Sequence, residues 1–98
     1  MQVEYKSKEI KKVCTNASVA TKKYGSHMAE LIQQRIDQIR AAENVEELIQ
    51  FRIGRCHALS GNRKKQYAMD LVHTQRLIFE KIGAEIQIAN ILEIVDYH

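Results

Sequence analysis

The stretch QYAMDLVHTQRLIFEKIGAEIQIANILEIV, residues 66–95, decides the fold. Tyr67, Met69 and Leu71 alternate with Ala68, Asp70 and Val72. Leu77 and Phe79 then alternate with Arg76, Ile78 and Glu80. Ile86, Ile88, Leu92 and Ile94 alternate with Gln87, Ala89, Ile91 and Glu93, and Asn90 is the exception. Period-two alternation puts successive side chains on opposite faces of a strand, so three consecutive strands are expected. His73-Thr74 and the segment around Gly83 supply the turns. Turns this short make neighbouring strands antiparallel, which gives a meander.

Upstream of this stretch the period changes. Residues 2–5, QVEY, suit a short first strand, and Ser7 can cap a helix after it. Ile10, Val13, Cys14 and Ala17 fall at i, i+3, i+4 and i+7, one helical stripe that runs toward Gly25. Gly25 suits the end of this helix and Ser26 the start of the next, whose stripe is Met28, Leu31, Ile32, Ile36 and Ile39. Asn44 followed by Glu47 resembles a capping box and predicts one more short helical turn over VEELIQ. The expected fold class is α+β. A helical hairpin packs on one face of a small antiparallel sheet, in the order β-α-α-β-β-β, as a single domain over residues 1–98.

Bulk properties agree with one small globular unit. The 98 residues are 45% hydrophobic and 28% charged, enough for one core and too few for a second domain. No apolar run is long enough to cross a bilayer, and the opening MQVEYKSKEIKK lacks the apolar stretch of a signal peptide, so a cytoplasmic protein is expected. Cys14 and Cys56 fit neither a disulfide framework nor a zinc spacing, so neither a metal nor another cofactor is expected.

The net charge is +3, and its distribution is uneven. Residues 52–65 carry Arg52, Arg55, Arg63, Lys64 and Lys65 with no acid, beside His57. Residues 1–27 hold six lysines against two glutamates, whereas residues 80–98 are acidic on balance. Concentrated basic charge suits phosphate contacts, although a solvated lysine face reads the same way. If Leu77 and Phe79 face the helices, Arg76 faces away from them. The basic loop leads into the first meander strand, and the tail leaves the last one. Such a meander can gather His57, Arg63, Arg76, Asp96, Tyr97 and His98 at one edge.

That set suits cleavage of an RNA phosphodiester. The 2′-hydroxyl of RNA is the nucleophile. The protein must move two protons and stabilise charge on phosphorus. Imidazoles titrate in the right range for the first task, and guanidinium forks match phosphate oxygens for the second. Tyrosine can stack on an exposed base. Each residue also has a purely structural reading: His57 can bond a loop carbonyl, and Arg76 can pair with Asp70 or Glu80. His27 and His73 read as structural, one opening a helix and the other sitting in a turn.

The segment GRCHALSGNRKKQYAMDLVHTQRLIFE with the closing DYH resembles the HigB-type toxins of the RelE/ParE superfamily, the plasmid maintenance killer proteins of type II toxin–antitoxin systems. The match rests on His57, Leu59, Gly61 and Arg63, on Arg76 to Phe79, and on Asp96-Tyr97-His98. The resemblance implies a RelE-like fold and a ribosome-dependent endoribonuclease, an mRNA interferase that cuts mRNA in the A site. It makes His57 and His98 the proton-transfer groups, with Asp96 orienting or sharing in proton transfer. Arg76 and Arg63 would bind phosphate or stabilise the transition state, and Tyr97 would contact base or ribose. Arg55, Lys64 and Lys65 join Arg63 as RNA-binding residues. The implied partners are a cognate helix-turn-helix antitoxin, the ribosome with its mRNA, and operator DNA through the antitoxin complex, with no membrane. Departures from the family pattern fall at Ala58, often proline, at Ser60, often lysine, and at Asn62, often aspartate. Two other readings use the same residues: a ParE-like DNA gyrase poison, and a non-catalytic basic nucleic-acid-binding module.

Overall fold

The computed structural model describes residues 1–96. The first strand is β1 (Gln2–Tyr5). The helices follow: α1 (Lys8–Thr15), α2 (Ala17–Tyr24), α3 (Ser26–Ala41) and α4 (Val45–Gln50). A single 3₁₀ turn at Ile53–Arg55 leads to β2 (His57–Ala58), β3 (Gln66–Asp70), β4 (Gln75–Ile82) and β5 (Ile88–Asp96). The strands form one sheet in the order β1-β5-β4-β3-β2. The fold class is α+β, with the helices against one sheet face. No helix among the described residues is long and apolar enough to cross a membrane.

The first helical stripe is interrupted. Asn16 adopts an extended backbone, and its N–H donates to the Lys12 carbonyl while its side chain accepts from the N–H groups of Ser18 and Val19. One residue therefore closes α1 and caps α2, because an asparagine side chain competes with the helix for backbone donors. Ala17, expected on the buried stripe, is exposed as a result. Asn16→Ala should cost about 1 kcal/mol, the usual worth of an N-cap, read as a lower urea midpoint. At the next junction Gly25, at φ +90, is itself the cap of α3, and Ser26 is the first helical residue rather than the cap. Asn44 caps α4 as its spacing predicts, accepting from the Glu47 N–H at 2.9 Å. A second cap comes from far along the chain: the buried Gln87 side chain accepts from the Val45 N–H at 2.9 Å and donates to Glu46.

The meander is antiparallel, as its turns require. β1 joins it in parallel against β5, so the sheet is mixed rather than wholly antiparallel. The two-residue β2 is a further strand, paired antiparallel to β3 at the other edge. Tyr67, Met69, Leu71, Leu77 and Phe79 face the helices and pack with Ile32, Ile36 and Ile39 in the core. The Tyr67 and Phe79 rings stack at 5.6 Å.

The last strand departs from simple alternation. Ile78 pairs with Glu93 but Phe79 pairs with Ile91, so Leu92 is the extra residue of a bulge. The bulge shifts the phase: Ala89 and Ile91 point into the core before it, and Ile94 after it. Of the expected stripe, Ile86 lies in the turn at 86% exposure, and Ile88 and Leu92 are only half-buried.

Burial pushes the thiols of Cys14 and Cys56 up to about 12. A free thiol ionises near about 8.5, so above that pH the unfolded chain holds fewer protons than the folded one. The associated stability is complete below about pH 8.5 and is lost as pH rises toward 12. The urea midpoint should therefore fall between about pH 8.5 and 10.5, and Cys14→Ala with Cys56→Ala should flatten that fall.

Candidate functional site

Directly opposed residues in antiparallel strands share a face. The registers therefore lay two rows across the sheet face turned away from the helices. One is His57–Ala68–Ile78–Glu93, and the next is Asp70–Arg76–Val95. Ala68 and Ile78 are fully buried yet stand apart from the helix-side core, a small apolar floor on this second face. Arg63 reaches back from the basic loop, its Nε donating to Gln66 at 2.9 Å and its Nη2 pairing with Glu93 at 3.0 Å. His57, Arg63 and Arg76 thus share one face, as the alternation around Leu77 and Phe79 requires.

His57 begins β2 directly after a strained turn. Its Nδ1 lies 2.8 Å from the Arg55 carbonyl oxygen. A carbonyl only accepts, so Nδ1 carries the hydrogen, and Nε2 is the nitrogen left for proton exchange. The structural reading of this histidine, a bond to a loop carbonyl, is met. That bond fixes the ring and its tautomer.

Arg55 and Arg76 converge on Asp70. The Nε of Arg55 lies 3.0 Å from one carboxylate oxygen, and the Nε of Arg76 lies 3.3 Å from the other. A third guanidinium comes from α3: Arg35 donates through Nε to the Asp70 backbone carbonyl at 2.6 Å and through Nη1 to Gln38 at 3.1 Å. Burial pulls Arg35 below the usual guanidinium range, and the charge of Asp70 opposes that shift. Asp70 thus engages three arginines, two of which, Arg55 and Arg76, line a cleft of about 170 Å³ together with His73, Thr74 and Gln75. Gly54 sits against Arg35: a Cβ there would lie 2.6 Å from Nε, on a backbone at φ +57. Gly54→Ala should lower stability by about 1–2 kcal/mol in urea denaturation, since it adds left-handed strain and displaces an anchored side chain.

Asp96 ends β5 opposite Gln75, and the Thr74 hydroxyl donates to its carboxylate. The contact brings it to the turn that lines the cleft, although strand alternation places it in phase with Ile94, toward the helix side. Lys64 and Lys65 are exposed in the loop before β3, where the Lys65 carbonyl accepts from the Lys81 N–H at 2.8 Å. Tyr97 and His98 lie outside the described residues. In the sequence Asp70 stands out only as a possible partner for Arg76, and His73 only as a turn residue. No local pattern distinguishes a strand aspartate that gathers three arginines, because two of them come from α3 and the 3₁₀ turn. Cys56 is buried beside His57, and burial raises its thiol.

No family model matches the sequence, and no curated protein matches it either. Among solved structures the chain is similar to a YoeB/ParE toxin from Agrobacterium tumefaciens, with a TM-score of 0.68 and 12% identity, over 100% of both chains. At that identity the likeness shows the fold alone: the chain has the α+β fold of that structure.

Proposed function

We propose that this chain is the toxin of a type II toxin–antitoxin system and acts as a ribosome-dependent endoribonuclease on mRNA. The observation that carries the reading is His57, fixed by its Nδ1 bond and set on the same sheet face as Arg63 and Arg76. In this reading the RNA's 2′-hydroxyl loses its proton and attacks the adjacent phosphorus, the bond from phosphorus to the 5′-oxygen breaks, and the leaving 5′-oxygen takes up a proton. Nε2 of His57 is one proton-exchange atom. His98, after Asp96 and Tyr97 in the chain, is the other. Arg76, with Arg55 beside it, meets the charge that develops on the phosphate oxygens, where preorganised donors act most strongly. Arg63, Lys64 and Lys65 hold the flanking backbone, and Tyr97 contacts a base or the ribose. The HigB resemblance of the His57 and Arg76 segments supports this assignment, and a small helix-turn-helix antitoxin is the expected partner.

Inducing the chain in bacteria should stop growth and leave mRNAs cut within codons. Deleting residues 96–98, or His98→Ala, should abolish both effects. Undiminished cutting by the truncated chain would remove the tail from the site. The name of the structural neighbour joins YoeB with ParE, which keeps a second reading in view, a poison of DNA gyrase. That reading predicts a DNA-damage response with intact mRNA.

A further inference from the structure

One edge of the sheet is open along β1. This strand pairs only with β5, and no strand lies on its other side. The Lys6 N–H donates to the Ile91 carbonyl at 2.9 Å. Backbone groups alternate sides along a strand, so Gln2 and Glu4 also turn toward β5, while Val3 and Tyr5 turn their N–H and C=O groups outward. None of these outward groups has a hydrogen-bond partner among the described residues. Met1 anchors the edge, its ammonium donating to the carbonyls of Ile39 and Arg40 at 3.2 and 3.1 Å.

A hollow of about 470 Å³ runs beside this edge, lined by Val3, Glu4 and Tyr5 of β1, Lys11 and Thr15 of α1, and Arg40 of α3. Val3 and Tyr5 pack with the helix-side core, whereas Glu4, opposite Asn90 in the row that holds Glu80, faces away from the helices. Lys11 and Arg40 are exposed, and neither has an acidic partner among the described residues. The helix side of the open edge is therefore cationic. Lys11 is one of the six lysines of residues 1–27, a charge excess that the site on the other sheet face does not use.

We infer that this edge takes up an extended segment of a partner protein as a further strand of the sheet, a segment with carboxylates at alternate positions. Strand addition pairs the outward backbone groups of Val3 and Tyr5. Directly opposed residues share a face, so side chains opposite Val3 and Tyr5 enter the hollow with Lys11 and Arg40, where carboxylates fit. A nucleic acid would meet the same cations, but its phosphates only accept hydrogen bonds and leave the outward carbonyls without donors. A second copy joined through β1 would bring two sets of Lys11 and Arg40 to one seam, like charge against like. The edge lies across the sheet from β2 and His57, so its occupant is independent of the nuclease reading.

The test titrates the full chain with a fluorescein-labelled peptide, threonine alternating with glutamate over six positions, and follows anisotropy and amide hydrogen exchange. In the free chain the Val3 and Tyr5 amides should exchange fast and that of Glu4 slowly, since only the last bonds β5. With peptide at about 90% saturation, Val3 and Tyr5 should slow about tenfold, because exchange then runs through the free tenth of the chain. Lysine in place of each glutamate should abolish binding. Lys11→Glu and Arg40→Glu should each weaken it about fivefold, the upper worth of one exposed ion pair. N-methylation of the alternate peptide amides that face β1 should abolish binding, and N-methylation of the other set should leave it intact. Binding that survives methylation of either set is plain charge attraction and overturns the strand addition. So does a doubled mass in solution with Val3 and Tyr5 already protected, which makes the occupant a second copy. Absence of binding, or binding that leaves the Val3 and Tyr5 amides unchanged, overturns it as well. RNA cleavage enters none of these readouts, so the nuclease reading stands or falls separately.

Discussion

His57→Ala should reduce mRNA cleavage on ribosomes by about 10²–10⁴-fold, the usual worth of one positioned acid or base. The variant should fold normally, because His57 is half-buried on a two-residue edge strand and lies outside the helix-side core. Its hydrogen bond to the Arg55 carbonyl is local, two residues back in the chain, so its loss costs little stability. The informative comparison is His57→Asn. An asparagine amide can donate to the Arg55 carbonyl as Nδ1 does but cannot exchange a proton at neutral pH. If cleavage requires Nε2 chemistry, His57→Asn should be as inactive as His57→Ala. If His57 only braces the loop, His57→Asn should recover most of the rate. Primer extension on mRNA from cells expressing each variant reads the difference directly.

Asp70→Ala should affect both stability and activity. It withdraws the carboxylate from Arg55 and Arg76, and leaves Arg35 with its bonds to the backbone carbonyl and to Gln38. Breaking a buried ion pair costs about 3–5 kcal/mol, whereas exposed pairs are worth under about 1 kcal/mol. The Asp70 side chain is 30% exposed and Arg55 is 71% exposed, which places this cluster between those limits. A loss of about 2–3 kcal/mol is expected, measured by urea denaturation. In a double-mutant cycle, Asp70→Ala with Arg76→Ala should show coupling of about 1 kcal/mol or more, since the two side chains are in direct contact at 3.3 Å. Cleavage should fall as well. Arg55 and Arg76 are the guanidiniums assigned to the phosphate, and Asp70 is what holds both at one cleft. Additive losses in the cycle would mean that Asp70 and Arg76 do not act as a unit, and would remove Asp70 from its role in positioning Arg76.

The two experiments address different levels of the same arrangement. His57 is oriented by its own loop, through a bond that spans two residues. The arginines are oriented by a strand residue that they approach from β4 and from the 3₁₀ turn. The first device survives changes elsewhere in the sheet. The second depends on the register of β3 against β4, which pairs Asp70 with Arg76. A slip of one residue there would turn Arg76 toward the helices and take its guanidinium charge off this face.

Local patterns in the chain were sufficient for much of this. The alternation in residues 66–82 specified two strands and the face each side chain takes, because a pleated strand has a strict period of two. The Asn44 cap and the second helical stripe followed from chemistry within one or two turns of chain. The basic stretch 52–65 and His57 marked the loop that enters the site. Asn16 was legible in principle, since its side chain competes with helix hydrogen bonds, but the apolar stripe on either side of it outweighed that signal. What the sequence did not determine depends on partners distant in the chain. The parallel seat of β1, the Gln87 cap on α4, and the three arginines around Asp70 each join residues more than twelve positions apart or from separate elements. The Leu92 bulge, which turns Ile94 inward, is set by how β5 must fit β4. Local propensity acts over a few residues, whereas these features arise only when the sheet closes against the helices and buried polar groups must find their bonds.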